Sequence, residues 1–289
     1  METPAENAAE TVTEDGAVWS RAFRIRSEHV DMTRQLRTSS LLRMLQEASI
    51  AHTTELGMGR EKTLDRGYLW VISRQYARIL RMPVYDEEII LRSWPGEMLH
   101  VFFPRFYEIV SAESGEVLVQ AQALWMLLDE ATRRFVFPAE AGVEIRGRKE
   151  EPDRILRGSL RAPAGAVLTA EQRWTAPFSR IDINGHVGNA AYFDLLDDLL
   201  HGEGGPAGTG CAAGTGSGSG SETGSGGPRG ITAEYLTEVR PGAELRLRLL
   251  RVPGDGDAET YYFEGVSADG GKPFFRIEMQ MDRDTEEKQ

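Results

Sequence analysis

The sequence predicts an α+β protein that builds one plan twice, each time a long helix followed by antiparallel strands. Three observations predict it. A segment of the first half recurs in register in the second half. Each copy of that segment opens into one helix-period run. The remainder of each half alternates strand-like stretches with turn signals. With 289 residues the chain has the length of about two domains.

The repeated segment is clearest at Ser179-Arg-Ile-Asp-Ile-Asn-Gly-His-Val-Gly-Asn-Ala-Ala-Tyr192, which packs Asp182, Asn184 and His186 into five residues. In an extended loop, alternate spacing sends these three side chains to one side. Asn189 is a good N-cap for a helix-compatible run from Ala190 to Leu200. A carboxylate, an amide and an imidazole beside a helix N-terminus can hold a carbonyl and stabilise the oxyanion formed from it. The plainer reading is a turn at Asn184-Gly185, an Asx-turn at Asp182 and a simple cap at Asn189. The first copy lies 151 residues earlier, at Asp31-Met-Thr33-Arg-Gln35-Leu36-Arg-Thr38. Asp is kept, Thr33 stands for Asn184, and Gln35 stands for His186. This describes a duplicated domain with one chemically competent site.

Residues 1–16 are acidic and polar and are expected to be a disordered tail. Val18 to Glu28 reads as a first strand. Thr38 or Ser39 can cap a helix to about Leu56, with Leu41, Leu45, Ala48, His52 and Leu56 on one face and Gly57 as its stop. His52 on that face is expected to be a core or lining histidine. Strands follow at Tyr68–Met82, Glu88–Trp94, Val101–Val110 and Val117–Asp129, with a turn at Ser114-Gly115. Residues 17–143 are therefore the N-terminal domain.

The segment 144–165 lacks a clear period and is read as a linker. It carries Arg146, Arg148, Lys149, Arg154, Arg157 and Arg161 among acidic residues, a solvated stretch or a basic rim for an acidic partner. Residues 166–283 repeat the plan, with strands at Val167–Ala176 and Ile231–Val239. Two further strands alternate with period two, Leu245, Leu247 and Leu249 in one and Phe275, Ile277, Met279 and Met281 in the other. Between helix and strand lies 202–230, almost all Gly, Ser, Thr, Ala and Pro, which is expected to be a flexible insertion.

The net charge of −12 argues against a general nucleic-acid binder. The single cysteine, Cys211, forbids an intrachain disulfide. No run approaches the length of a membrane span, and residues 1–16 resemble neither a signal nor a transit peptide. The expected location is the cytoplasm. Gly208 to Ala213 matches a loose nucleotide fingerprint but follows no strand and opens no helix. There is no G-x-S-x-G, and the histidines are scattered without a cysteine cluster, so neither a metal site nor a cofactor is expected.

One helix cradled by a curved antiparallel sheet, twice in tandem, is the double hot-dog arrangement. The loop from Asp182 to Asn189 resembles the D-x-N-x-H-V-N-N motif of the acyl-acyl carrier protein thioesterase family, in its bacterial type. Leu45-Gln-Glu-Ala48, Trp70-Val-Ile-Ser-Arg74, Ser93-Trp-Pro95 and Trp125 to Asp129 are similar to that family's N-terminal half. The resemblance covers about residues 20–282 apart from the Gly-rich segment. It implies a further catalytic acid in a Tyr-x-x-Glu-Cys context, matched by Tyr235-Leu-Thr-Glu238-Val239. Val239 replaces the plant-type cysteine, so a cysteine nucleophile at this place is impossible. Gly188 replaces a frequent asparagine and is expected to affect the chemistry little.

The implied catalytic residues are Asp182, Asn184, His186 and Glu238. The implied activity is hydrolysis of fatty acyl thioesters, ending fatty acid synthesis. The implied partner is acyl carrier protein bearing a phosphopantetheine-linked acyl chain, with the acyl chain bound by the N-terminal domain. A homodimer is allowed. An acyl-CoA hydrolase, a hot-dog hydratase and a non-catalytic acyl-binding protein are the alternatives.

Overall fold

The computed structural model describes residues 10–13, 16–149, 158–202, 227–254 and 258–282. The chain divides into two compact units, Met1–Gly158 and Ser159–Gln289. Unit 1 holds β1 (Thr11–Val12), β2 (Trp19–Arg24), α1 (Thr38–Glu55), α2 (Arg60–Leu64), β3 (Tyr68–Ile79), β4 (Glu88–Pro95), β5 (Phe103–Ser111), β6 (Val117–Asp129), β7 (Phe135–Val136) and α3 (Pro138–Ala141). Unit 2 holds β8 (Val167–Thr175), α4 (Ala191–His201), β9 (Pro228–Tyr235), β10 (Glu244–Val252), β11 (Ala258–Ser267) and β12 (Pro273–Asp282).

In unit 1 the antiparallel order is β1-β2-β4-β5-β6-β3, with β7 beside β6; in unit 2 it is β8-β10-β11-β12-β9. Leaving β1 and β7 aside, both sheets run first, third, fourth, fifth, second. The second strand follows the helix and closes the far edge. This is the hot-dog plan, a long helix wrapped by a curved antiparallel sheet.

Register confirms the duplication at the level of single pairs. Trp19 faces Ser93 in unit 1 as Ala170 faces Leu249 in unit 2. Tyr107 faces Ala121 as Phe263 faces Ile277. Equivalent residues are 151 apart as far as the helix and 156 apart from the second strand onward.

The elements form where local chemistry directs them. Leu41, Leu45, Ala48 and His52 are buried along one stripe of α1. Gly57 ends the helix region with φ +75°, its N–H bonded to Thr54 O. Leu245, Leu247 and Leu249 of β10 and Phe275, Ile277, Met279 and Met281 of β12 are all buried, as period two requires. Each such side chain contributes about 1.5–3 kcal/mol on full burial.

Several boundaries differ from the sequence reading. Thr11–Val12, inside the expected tail, pair with Ser20 and Trp19. The N-cap of α1 is Arg37, and Thr38 stands in the first turn. Strand β3 stops at Ile79 because the N–H groups of Leu80 and Arg81 both turn to Leu118 O. Strand β9 stops at Tyr235 for the same reason, Leu236 and Thr237 both donating to Phe274 O. Glu238 therefore stands on the loop after β9, not on the strand. Arg148, at the head of the expected linker, bonds to Pro95 O and Glu97 N along β4. Arg154 and Arg157 lie outside the described residues, as do Cys211 and most of the Gly-rich segment. Among the described residues no helix is long and apolar enough to cross a membrane.

Unit 1 buries a cation. Arg105 of β5 donates to Ser93 Oγ (3.1 Å) and Thr53 Oγ1 (2.9 Å), and its guanidinium lies 3.1 Å from His52 Nδ1. Burial lowers Arg105 to about 10, so it stays charged at neutral pH. On the other side of the ring, His52 Nε2 lies 3.1 Å from Gly16 O. A cation at Nδ1 and a carbonyl at Nε2 select the Nε2–H tautomer. Burial first, and the Arg105 charge second, lower His52 from 6.5 to about 4. It is a core histidine, as expected from its place on α1.

The proton is thus bound more readily by the unfolded chain. The stabilisation from neutral His52 is complete above about pH 6.5 and is lost as pH falls toward 4. Calorimetry from pH 7 to pH 4 should show the melting temperature of the native chain falling more steeply than that of His52→Gln. Parallel curves would contradict this account.

Candidate active site

The site is built on a turn that occurs once in each unit. A single 3₁₀ turn precedes it, Ser27–His29 in unit 1 and Phe178–Arg180 in unit 2. Val30 then bridges Leu36, and Ile181 bridges Val187. Within the bridge, Asp31 N–H bonds to Gln35 O at 3.0 Å and Asp182 N–H to His186 O at 2.8 Å. Arg34 and Gly185 occupy the left-handed position of the turn, at φ 68° and 80°. In both copies the aspartate Oδ1 accepts a backbone N–H two residues on, Thr33 or Asn184, at 2.8 Å.

The loop is therefore a closed turn and not the extended segment expected from the sequence. Asp182 and His186 meet because they face each other across its bridge. Asp182 Oδ1 lies 3.7 Å from His186 Nδ1, with the side chains 24% and 15% exposed. The Asx-turn at Asp182 and its approach to the imidazole thus coexist in one carboxylate. Asn184 stands at the tip of the same turn.

The segment that carries Glu238 is fastened to this loop by one backbone bond. Val187 N–H donates to Val239 O at 2.8 Å. His186 and Glu238 each immediately precede a member of that pair. Arg240 approaches the Glu238 carboxylate at 3.6 Å. Val239 is fully buried, so an apolar residue fills the position of the family's cysteine.

The helix start differs from expectation. The N-cap of α4 is Ala190, without a side-chain cap, and Asn189 belongs to the preceding turn. Ala191 N–H bonds to Gly188 O and Phe193 N–H to Ala190 O, so these two donors are occupied by the chain itself.

Unit 1 repeats the fastening bond, Leu36 N–H to Pro83 O at 2.8 Å. Met82 is thereby the counterpart of Glu238. Unit 1 offers Asp31, Thr33, Gln35 and Met82, with neither imidazole nor second acid. Sequence reasoning found the first three but missed Met82, because five additional residues change the offset between helix and second strand. The signal was the dipeptide before the turn, Met82-Pro83 against Glu238-Val239.

Sequence reasoning also passed over the aromatic floor of the site. The Tyr192 ring stacks on Phe275, with centroids 4.0 Å apart, and lies 6.2 Å from Tyr235. Burial raises both phenols well above the usual range, and the Asp182 charge raises Tyr192 further. Glu234 is another acid nearby in sequence, and it is buried. It is held by Ser159 Oγ and Leu160 N–H and approached by Arg276, which gives it a structural task. Among the described residues no group of three or more His, Cys, Asp or Glu is arranged to hold a metal ion.

A carboxylate against an imidazole orients the ring, and a neutral imidazole can accept a proton from water. Fold and loop together define a double hot-dog protein with one acid–imidazole site. Residues 16–140 match the family model of the acyl-ACP thioesterase N-terminal domain.

It is 25% identical over 197 residues to a chloroplastic acyl-[acyl-carrier-protein] hydrolase of Cuphea viscosissima, covering 65% of this chain and 48% of that protein. It is 26% identical over 196 residues to the chloroplastic palmitoyl-acyl carrier protein thioesterase of Gossypium hirsutum, covering 64% and 48%. The chain thus spans about half the length of the curated relatives it matches. A Lactobacillus plantarum protein assigned as an oleoyl thioesterase has the same fold, with TM-score 0.73 at 23% identity over 98% of this chain and 100% of that one. The cytoplasmic expectation is corrected by these relatives, which are chloroplast proteins. It rested on the composition of residues 1–16, which carries no address by itself.

Asp31 has only a structural task in this geometry, accepting Thr33 N–H, Thr33 Oγ1–H and Gln35 N–H. Asp31→Ala should lower the unfolding free energy by about 1–2 kcal/mol in urea denaturation. An unchanged midpoint would remove that task.

Proposed function

We propose that the chain hydrolyses fatty acyl thioesters carried on acyl carrier protein, releasing free fatty acid and ending chain growth. One observation carries the reading. In unit 2 the Asp182 carboxylate lies 3.7 Å from His186, and the Val187–Val239 bond ties Glu238 to the same loop. In unit 1 the same backbone carries Gln35 and Met82 instead.

Asn184 binds and polarises the thioester carbonyl. His186 and Glu238 orient a water and remove its proton, and Asp182 holds the turn and orients the imidazole. The water oxygen bonds to the carbonyl carbon, the C–S bond breaks, and the proton passes to the leaving thiolate. The products are a free acid and the phosphopantetheine thiol. Val239 offers no nucleophile, which supports water as the attacking group and the bacterial type within the family.

Unit 1 takes the acyl chain in this reading. Each methylene buried there contributes about 0.8 kcal/mol, so two carbons distinguish substrates by roughly fifteenfold. The carrier is acidic, and Arg146, Arg148, Lys149 and Arg161 supply a basic rim on an acidic chain.

The test is thiol release from a ladder of acyl-carrier-protein substrates and matched acyl-CoAs. His186→Ala and Glu238→Ala should each lower kcat by about a hundredfold or more with little change in KM. Asp31→Ala should retain turnover. Preference for acyl-CoA would make the protein a CoA thioesterase, and no thiol from either carrier would overturn hydrolysis.

Rising salt should raise KM for the carrier-bound substrates, because the basic rim is screened. An unchanged KM would dismiss the rim as the docking site.

A further inference from the structure

Two arms make the site turn of unit 2. Residues 180–182 and 186–188 run antiparallel, joined by Gly188 N–H to Arg180 O at 3.1 Å, the Ile181–Val187 bridge and Asp182 N–H to His186 O at 2.8 Å. Asp182 stands on the first arm and His186 on the second. The second arm is fastened by Val187 N–H to Val239 O. The first arm is fastened by a side chain. Arg180, at the end of the 3₁₀ turn, donates to Asp194 Oδ2 at 2.5 Å, and Asp194 lies in the first turn of α4. The two side chains are 35% and 16% exposed. A carboxylate in the first turn of a helix is favoured by the helix dipole, and a charge-assisted bond to it is stronger than a neutral one.

Unit 1 is an internal control for what the fold alone needs. At the offset of 151 residues, His29 and Arg43 take the places of Arg180 and Asp194. Both are bases, so they cannot pair as opposite ions. Instead His29 Nδ1 accepts Arg26 N–H at 3.1 Å, and Arg43 donates to Ser39 Oγ at 3.2 Å. The backbone bond between the arms is kept, Arg37 N–H to His29 O at 2.9 Å. The turn therefore closes without an ion pair from arm to helix. That ion pair occurs in the unit that also carries His186 and Glu238.

We propose that Arg180, paired with Asp194, is a positioning residue of the active site: it braces the Asp182 arm of the turn on α4 and so holds that carboxylate against His186. The assignment rests on the proposed thioester hydrolysis at this loop. Arg180 takes no proton from water and touches no reacting atom. With both arms fastened, one to α4 and one to the chain after β9, the separation of Asp182 and His186 is held from both sides.

Arg180→Met removes one charge and Asp194→Asn the other, each with little change in size. Each should lower kcat roughly tenfold or more, as a displaced catalytic group does. KM and the melting temperature should stay near those of the native chain, because a partly exposed ion pair adds little stability. The double variant should fall no further than either single one. The imidazole resonances of His186, assigned by their loss in His186→Ala, should shift in Arg180→Met, a readout independent of turnover. Arg248→Met breaks a comparable ion pair of unit 2, Arg248 with Glu264 at 2.9 Å and side chains 37% and 12% exposed, and should leave kcat and those resonances unchanged. Native kcat or unmoved His186 resonances in Arg180→Met, alongside an inactive His186→Ala, would overturn the positioning role and leave the hydrolase reading intact. Additive losses in the double variant, or an equal loss in Arg248→Met, would also overturn it. A native chain that releases no thiol, with His186 resonances still shifted by Arg180→Met, would overturn hydrolysis and keep the brace.

Discussion

One hydrogen bond in each unit fastens the turn before the helix to the chain leaving the second strand. Val187 N–H reaches Val239 O, and Leu36 N–H reaches Pro83 O, both at 2.8 Å. A buried backbone N–H needs a partner, and here that partner belongs to the chain leaving the second strand. The turn before the helix is thereby fastened to a segment about fifty residues away in sequence. The strand end makes this encounter happen. Two successive N–H groups converge on one carbonyl, Phe274 O or Leu118 O, and the chain leaves the sheet toward the turn.

The duplicated backbone supports two different interiors. Arg105, Ser93, Tyr107 and Ser49 of unit 1 correspond to Tyr261, Leu249, Phe263 and Leu200 of unit 2. Unit 1 holds a buried cation among neutral partners, and unit 2 fills the same positions with apolar and aromatic groups. A buried charge is seldom the most stabilising choice for a core. In unit 1 it is tolerated because Ser93, Thr53 and His52 satisfy the guanidinium. The turn of unit 2 carries Asp182, Asn184 and His186 as the turn of unit 1 carries Asp31, Thr33 and Gln35.

Much of the architecture was legible because it is local. The α1 stripe, the alternation in β10 and β12, and the turn at Asp182 to Gly185 each follow from residues close in sequence. The same holds for the repeat, which needs only the matched loop segments. Boundaries were less legible. Met82 and Glu238 both read as strand residues, since nothing in their own neighbourhood announces that two N–H groups will share one carbonyl. Asn189 reads as a cap by type, yet the chain makes one more turn before α4 begins.

The sequence alone determined the two-unit hot-dog plan, the helix faces and the loop that carries Asp182, Asn184 and His186. These depend on periodicity and turn chemistry, which act over a few residues. Tertiary structure decided that Asp182 faces His186 across a closed turn, that Glu238 lies on a loop whose next residue is bonded to that turn, and that Met82 occupies its place in unit 1. It also decided that Tyr192 stacks on Phe275. Each of these depends on hydrogen bonds and packing between residues far apart in the chain, and those are set only when strand register is complete.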